Sequence, residues 1–163
     1  MADFTRPTRY LEDLTLDEPF ECGTFSVTED EIIEFAAKYD PQPFHLDRAA
    51  AAASAFGGLV ASSVQSLALS CGLMVRAIDG VAVIGGMGWE DIRLMRPVRP
   101  GVAFAVRARW LSKRPSASKP DRGIAKIAIE VWEGSAVAMS YGIAYLVRRH
   151  GTAHLGDHSA SRP

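Results

Sequence analysis

The chain has 163 residues, a formal net charge of −1 at neutral pH, 48% hydrophobic residues and 23% charged ones. That length suits one domain and is too short for a (β/α)₈ barrel of about 250 residues. The composition excludes a disordered, collagen-like or coiled-coil chain, and the lack of a basic excess argues against a dedicated nucleic-acid binder.

Cys22 and Cys71 are the only cysteines, too few for a disulfide framework. The polar segment 1–10 has no apolar leader. The longest apolar stretch, 55–78, is broken by Gly57, Gly58, Ser62, Ser63, Gln65, Ser66, Ser70 and Arg76. It reads as a buried helix rather than a membrane span, and a cytoplasmic protein is expected. Charge is unevenly spread. Acidic residues dominate up to Asp47, and 93–122 carries nine basic side chains against Asp121 alone. Either a small anion meets the basic side, or the two signs pair on the folded surface.

In chain order, the segment up to Gly23 is expected to be irregular, with a short strand at 25–27. Thr28 and Glu31 have the spacing of a capping box. Ile32, Phe35, Ala36 and Tyr39 behind it predict an amphipathic helix over 29–39. Asp40-Pro41 ends that helix, because a residue before proline is driven out of the α region. A stiff loop over 41–46 follows, and Asp47 is placed to cap a short helix through Ala53. Phe56-Gly57-Gly58 breaks it, and a long helix over 59–78, buried nearly all round, is expected before Asp79-Gly80.

From Val81 the period becomes two. Strands are predicted through Val102–Trp110, Ile127–Val131 and Val137–Val147, with a loop over 113–123 and a hairpin turn at Glu133-Gly134-Ser135. Gly85, Gly86 and Gly88 beside Trp89 read as turns or bulges, or as the shaping of a ligand tunnel. The whole is an α+β domain over 1–149, a long helix against an antiparallel sheet. The segment 150–163 is expected to be a disordered tail, and His150, His154 and His158 in it are expected to be solvated.

His45 is then the only imidazole of the folded body. It lies five residues after Asp40 on the proline-stiffened Asp40-Pro41-Gln42-Pro43-Phe44-His45 segment, so the two can face one space. The residues alone leave three readings open: an acid/base pair able to move a water, a structural hydrogen bond, or, with Asp47, a metal site. Phe56 to Ser63 is the second region of interest. Gly58, Ser62 and Ser63 lie where a loop meets a helix N-terminus, whose free N–H groups suit a developing oxyanion or merely tight packing. A serine nucleophile at Ser62 or Ser63 lacks the Gly-x-Ser-x-Gly turn.

These residues resemble the MaoC-like dehydratase family, best known for (R)-specific enoyl-CoA hydratases. The resemblance runs from about Arg9 to Arg149 through FAAKYDPQPFHLD (35–47), AFGGLVASS (55–63), RPVRPG (96–101) and KRPSASKPDRG (113–123), of which the Asp-x-x-Pro-x-His spacing is the specific part. It implies a hot-dog fold, with a central helix wrapped by the sheet, and a homodimer or higher homo-oligomer made by edge-to-edge pairing. It implies Asp40 and His45 as the catalytic pair, acting with one water on a trans-2-enoyl-CoA thioester. The thioester oxygen would be polarised by N–H groups around Ser63, with Gly58 and Ser62 beside it. Coenzyme A would arrive as part of the substrate, with no separate cofactor, no metal, and no nucleic-acid or membrane partner. Its phosphates would meet the basic strip, with Lys119 and Arg122 as the candidates.

Three positions depart from the family's pattern. Gln42 stands where many members have Asn, Ser63 where glycine is usual, and Gln65 where histidine is frequent. Two alternatives belong to the same fold. A thioesterase would need a carboxylate on or beside the long helix, and 59–78 contains none. An acyl-CoA-binding protein without turnover would need neither Asp40 nor His45.

Overall fold

The computed structural model describes residues 7–151. Five strands, β1 (Phe20–Phe25), β2 (Val83–Leu94), β3 (Phe104–Pro115), β4 (Arg122–Glu133) and β5 (Ala136–Arg148), form one sheet in the order β1-β3-β4-β5-β2, with every neighbouring pair antiparallel. Four helices, α1 (Glu29–Tyr39), α2 (Pro43–Leu46), α3 (Arg48–Ala53) and α4 (Ser63–Ala77), lie between β1 and β2 in the chain.

Period-two alternation carries the sheet. Phe104, Val106, Ala108 and Trp110 of β3 and Ile127, Ile129 and Val131 of β4 turn inward and join Tyr141, Ile143, Tyr145 and Val147 of β5 in one buried cluster. Helix α4 packs over this face against β1 and β3, and Met74 and α1's Ile32 reach the cluster with no exposed surface. A fully buried side chain of this kind contributes roughly 1.5–3 kcal/mol. The expected two-layer α+β architecture is what forms.

Several boundaries differ from expectation, each for a tertiary reason. Strand β1 occupies 20–25, N-terminal to the short strand expected at 25–27. Its alternation is hidden in sequence by a bulge between Glu21 and Gly23, where Gly23 takes φ +113°. The loop over 41–46 contains α2, a single turn started by Pro43 at its first helical position. The long helix begins at Ser63 rather than Leu59, because Ala61 N–H is drawn to the Val98 carbonyl at 2.8 Å and keeps 59–62 out of the helix.

Nor is α4 buried all round. Val64 and Val75 are exposed, whereas Gln65, Ser66, Ser70 and Met74 are buried. The two serines tolerate burial because their hydroxyls donate to carbonyls one turn back, Ser62 O at 3.1 Å and Ser66 O at 2.9 Å. The loop expected over 113–123 shrinks to 116–121, since β3 and β4 extend their pairing to Pro115↔Gly123. The tight turn between β4 and β5 falls where expected, with Gly134 at φ +57°.

Part of the uneven charge is engaged across the fold. Arg107 donates to Glu21 at 2.7 Å, Arg149 to Glu12 at 2.7 Å, and Lys113 to the Leu14 carbonyl at 2.8 Å. His150 is not merely solvated. Its Nε2 lies 2.7 Å from Asp13 Oδ2, and its ring tilts against Tyr10 with centroids 4.5 Å apart. His154, His158 and the rest of the expected tail lie outside the described residues. Among the described residues no helix is long and apolar enough to cross a membrane.

Candidate active site

The capping box forms as expected. Thr28 Oγ1 accepts from Glu31 N–H at 3.2 Å and Glu31 Oε2 accepts from Thr28 N–H at 2.8 Å. It fixes where α1 starts, and therefore where Asp40 stands as its C-terminal cap residue. Asp40 and the turn α2 then bring His45 back toward the segment entering α4. His45 is 5% exposed, and its Nδ1 lies 2.6 Å from the Val60 carbonyl oxygen. A carbonyl can only accept, so Nδ1 carries the proton and, in the neutral ring, Nε2 presents its lone pair.

That Nε2 is 3.5 Å from Asp40 Oδ2. The carboxylate is held by two donors: Ser62 Oγ to Oδ2 at 2.6 Å and Gln42 Nε2 to Oδ1 at 3.0 Å. The Ser62 hydroxyl first, then the Gln42 amide and the nearby imidazole, keep the Asp40 carboxyl below its ordinary value despite partial desolvation. Two acceptors, one anionic and one a ring nitrogen, therefore converge on one point. Gln42 thus commits its side-chain amide to the carboxylate.

Asp40, His45, Ser63 and Ser66 line one cavity of about 370 Å³, with Phe44, Phe56, Leu94, Met95 and Met139 among its apolar walls. Phe44 sits edge-on to the His45 ring at 4.5 Å and against Phe56 at 5.1 Å, so the imidazole has an aromatic flank. Ser63 is the first helical residue of α4 and lies on the cavity wall, where its N–H has no acceptor within the helix. The side chain at this position does not remove the donor.

Ser62 has no exposed surface; its hydroxyl donates to Asp40 and accepts from Val64 N–H at 3.2 Å. A triad nucleophile would have to donate to the imidazole instead, so Ser62 is not arranged as one. Gly58 stands outside the cavity wall, against Arg99, whose Nη2 donates to the Phe56 carbonyl at 2.6 Å and holds that turn. Asp47 is not brought to His45. Its Oδ1 caps α3 through Ala50 N–H at 2.7 Å. Among the described residues no group of three or more His, Cys, Asp or Glu could hold a metal ion.

Lys119 and Arg122 are not brought to the cavity either. Met139 on its wall pairs with Val131 of β4, and Arg122 is at the opposite end of that strand, about 30 Å away at ~3.3 Å per residue. Arg122 also forks onto Asp121 at 2.8 and 2.5 Å. The glycines of β2 sit at register shifts of the strand and none lines the cavity. What sequence reasoning missed is the segment 94–98, whose side chains form a wall of the cavity. The RPVRPG motif was its only signal.

Comparison with known proteins bears on the family and the fold. The family described as MaoC like domain matches residues 13–131. A crystal structure of a MaoC-like dehydratase from Rhodospirillum rubrum is 32% identical, with a TM-score of 0.78 over 88% of this chain and 99% of that one. The unliganded R-hydratase PhaJ1 from Pseudomonas aeruginosa is 26% identical, with a TM-score of 0.65 over 85% of this chain and 84% of that one. The uncharacterized protein YdeM of Bacillus subtilis is 27% identical over 85% of this chain and 99% of its own length. The shared architecture is the hot-dog fold.

Proposed function

Since the chain belongs to the MaoC-like dehydratase family, a family of hydro-lyases on the hot-dog fold, we propose that it adds water to, or removes it from, the C2–C3 bond of a trans-2-enoyl-CoA thioester. Asp40 and His45 are the catalytic pair. The observation that carries this reading is the pair of acceptors, Asp40 Oδ2 and His45 Nε2, 3.5 Å apart on a cavity wall.

A water donating one hydrogen to each acceptor turns its lone pair outward, toward C3 of an enoyl group lying in the cavity. As the C3–O bond forms, the π electrons of C2=C3 move onto the thioester oxygen, where the Ser63 N–H at the positive end of α4 stabilises the charge. The proton leaving the water passes to the Asp40–His45 pair and is returned to C2, so the elements of water are added without a further reactant. Dehydration is the reverse. Coenzyme A belongs to the substrate and no separate cofactor enters the scheme.

A carboxylate does stand beside α4, since Asp40 is bonded to its N-cap Ser62. Hydration is favoured over thioester hydrolysis because that carboxylate is paired with His45 Nε2 at 3.5 Å and the Ser62 hydroxyl is committed to Asp40 rather than to His45. The proposed assembly is a homodimer paired through the edge strand β2. Trp89, Ile92 and Leu94 of that strand are exposed, as is Val64 on α4, and a long apolar edge of this kind is ordinarily covered.

The test is loss of the conjugated-thioester absorbance of crotonyl-CoA and longer enoyl-CoAs. Asp40→Asn and His45→Ala are each expected to lower kcat about 10²–10⁴-fold with the fold intact by circular dichroism. Unchanged rates would remove the assignment, and release of free thiol would favour the thioesterase.

A further inference from the structure

We propose that Arg96 anchors an oxyanion of the incoming thioester, a phosphate or a carboxylate, at the wall of the catalytic cavity. The proposal rests on the hydratase reading above and assigns a charge recognition that Lys119 and Arg122 of the same chain stand too far away to supply.

Four observations carry it. Among the described residues lining the cavity, Arg96 is the only side chain besides His45 that can bear positive charge. Its backbone is fixed on both sides. Met95 and Arg96 N–H groups both donate to the Ala138 carbonyl, at 2.9 and 3.0 Å, and the Val98 carbonyl accepts from Ala61 N–H at 2.8 Å. With Pro97 between them, the segment is pinned to β5 and to the strand-like entry into α4 that also carries Val60 and Ser62.

The guanidinium, by contrast, is loosely held. It is 54% exposed and its Nη1 stands 3.6 Å from Glu133 Oε2, beyond hydrogen-bond length. Arg48, Arg107 and Arg149 are engaged far more closely, at 2.6, 2.7 and 2.7 Å from their carboxylates. An exposed pair at such a distance contributes little, so exchanging Glu133 for a ligand oxyanion costs little.

Finally, the cavity carries a negative charge. Asp40 is kept ionised by Ser62 and Gln42, and Leu94, Met95 and Val98 offer nothing to offset it. An anionic thioester would meet that carboxylate's field on entry. A guanidinium fork on the same wall compensates for it and binds phosphate or carboxylate through two parallel hydrogen bonds. Arg99 is not a substitute, since it does not line the cavity and its Nη2 donates to the Phe56 carbonyl.

The experiment measures calorimetric binding of three unreactive thioesters to the full chain: butyryl-CoA, succinyl-pantetheine and butyryl-pantetheine. They carry, respectively, phosphates only, a carboxylate only, and neither. Arg96→Ala is expected to weaken butyryl-CoA at least tenfold and leave butyryl-pantetheine within twofold. If the oxyanion is the acyl carboxylate, the tenfold loss falls on succinyl-pantetheine instead.

Arg96→Lys should restore part of the loss. Glu133→Gln, which removes the internal competitor, should tighten the affected probe two- to threefold, a gain that a merely structural Arg96 would not give. Equal weakening of all three probes, no change in any, or no binding by the wild type overturns the proposal. Crotonyl-CoA turnover measured alongside separates the two readings. Selective binding loss without wild-type turnover leaves the anchor and removes the hydratase assignment. Normal turnover with unaltered binding by Arg96→Ala does the reverse.

Discussion

Ser62 donates a 2.6 Å hydrogen bond to the same carboxylate oxygen of Asp40, Oδ2, that faces His45 Nε2 at 3.5 Å. Ser62 is also the N-cap of α4. One hydroxyl thus joins the helix start to the ionisation of the acidic partner.

Ser62→Ala is accordingly expected to act twice. Loss of the cap costs about 1 kcal/mol of stability, read as a lower urea midpoint. Loss of a hydrogen bond to a charged group, worth about 1.5–3 kcal/mol, lowers kcat/KM roughly 10- to 100-fold. Because the hydroxyl holds the Asp40 carboxyl down, its removal raises that carboxyl, and the acid limb of the kcat/KM profile moves to higher pH. Ser62→Thr, which keeps the hydroxyl, should restore the wild-type limb.

Stability should fall on the acid side. Four carboxyls sit below their ordinary range: Glu12, where desolvation is outweighed by Arg149 and the His150 N–H; Asp13, held by the Tyr10 N–H and His150; Asp40, held by Ser62 and Gln42; and Asp121, held by Arg122. In each case the unfolded chain keeps its proton to higher pH than the folded one. The stabilisation is therefore complete above the ordinary carboxylate value near pH ~4 and is lost as pH falls through the depressed values. Melting temperature measured from neutral pH downward is expected to drop mainly below about pH 4, and less in an Asp13→Asn/Asp121→Asn double variant.

Gln65 is a polar side chain buried on α4. Its Nε2 donates to the Glu31 carbonyl at 3.1 Å, while its buried Oε1 has no protein partner. Methionine keeps the shape, removes the unpartnered Oε1, and leaves the Glu31 carbonyl to the backbone bonding of α1. Gln65→Met is expected to leave the urea midpoint within about 1 kcal/mol of wild type. A loss well beyond that would mean Oε1 holds an ordered water.

For the proposed β2 pairing, sedimentation should give a dimer at micromolar concentration, and Trp89→Glu or Leu94→Asp should give a folded monomer. Trp89 stacks on Tyr141 at 5.1 Å, so circular dichroism must accompany the Trp89 variant. A wild-type monomer, or variants that remain dimeric, would reject this edge.

Local chemistry was the legible part. Thr28 and Glu31 cap α1, Asp40-Pro41 ends it, Asp47 caps α3, and Gly134 turns β4 into β5. Each of these depends on hydrogen bonds or dihedral limits within a few residues. The spacing of Asp40 and His45 was also readable, because two prolines restrict the backbone between them. Long-range pairing decided the rest. A bulge at Gly23 hid β1, a bond from Ala61 to the Val98 carbonyl trimmed α4, and strand register sent Lys119 and Arg122 to the far end of the sheet while setting Arg96 on the cavity wall.

Sequence alone thus determined the kinds of group available, an acid, an imidazole and a helix start, because their local bonding needs few neighbours. Only the tertiary structure decided which of them share a cavity. That depends on how β4 and β5 align along their whole length, and a shift of one residue in that register would turn every side chain to the other face.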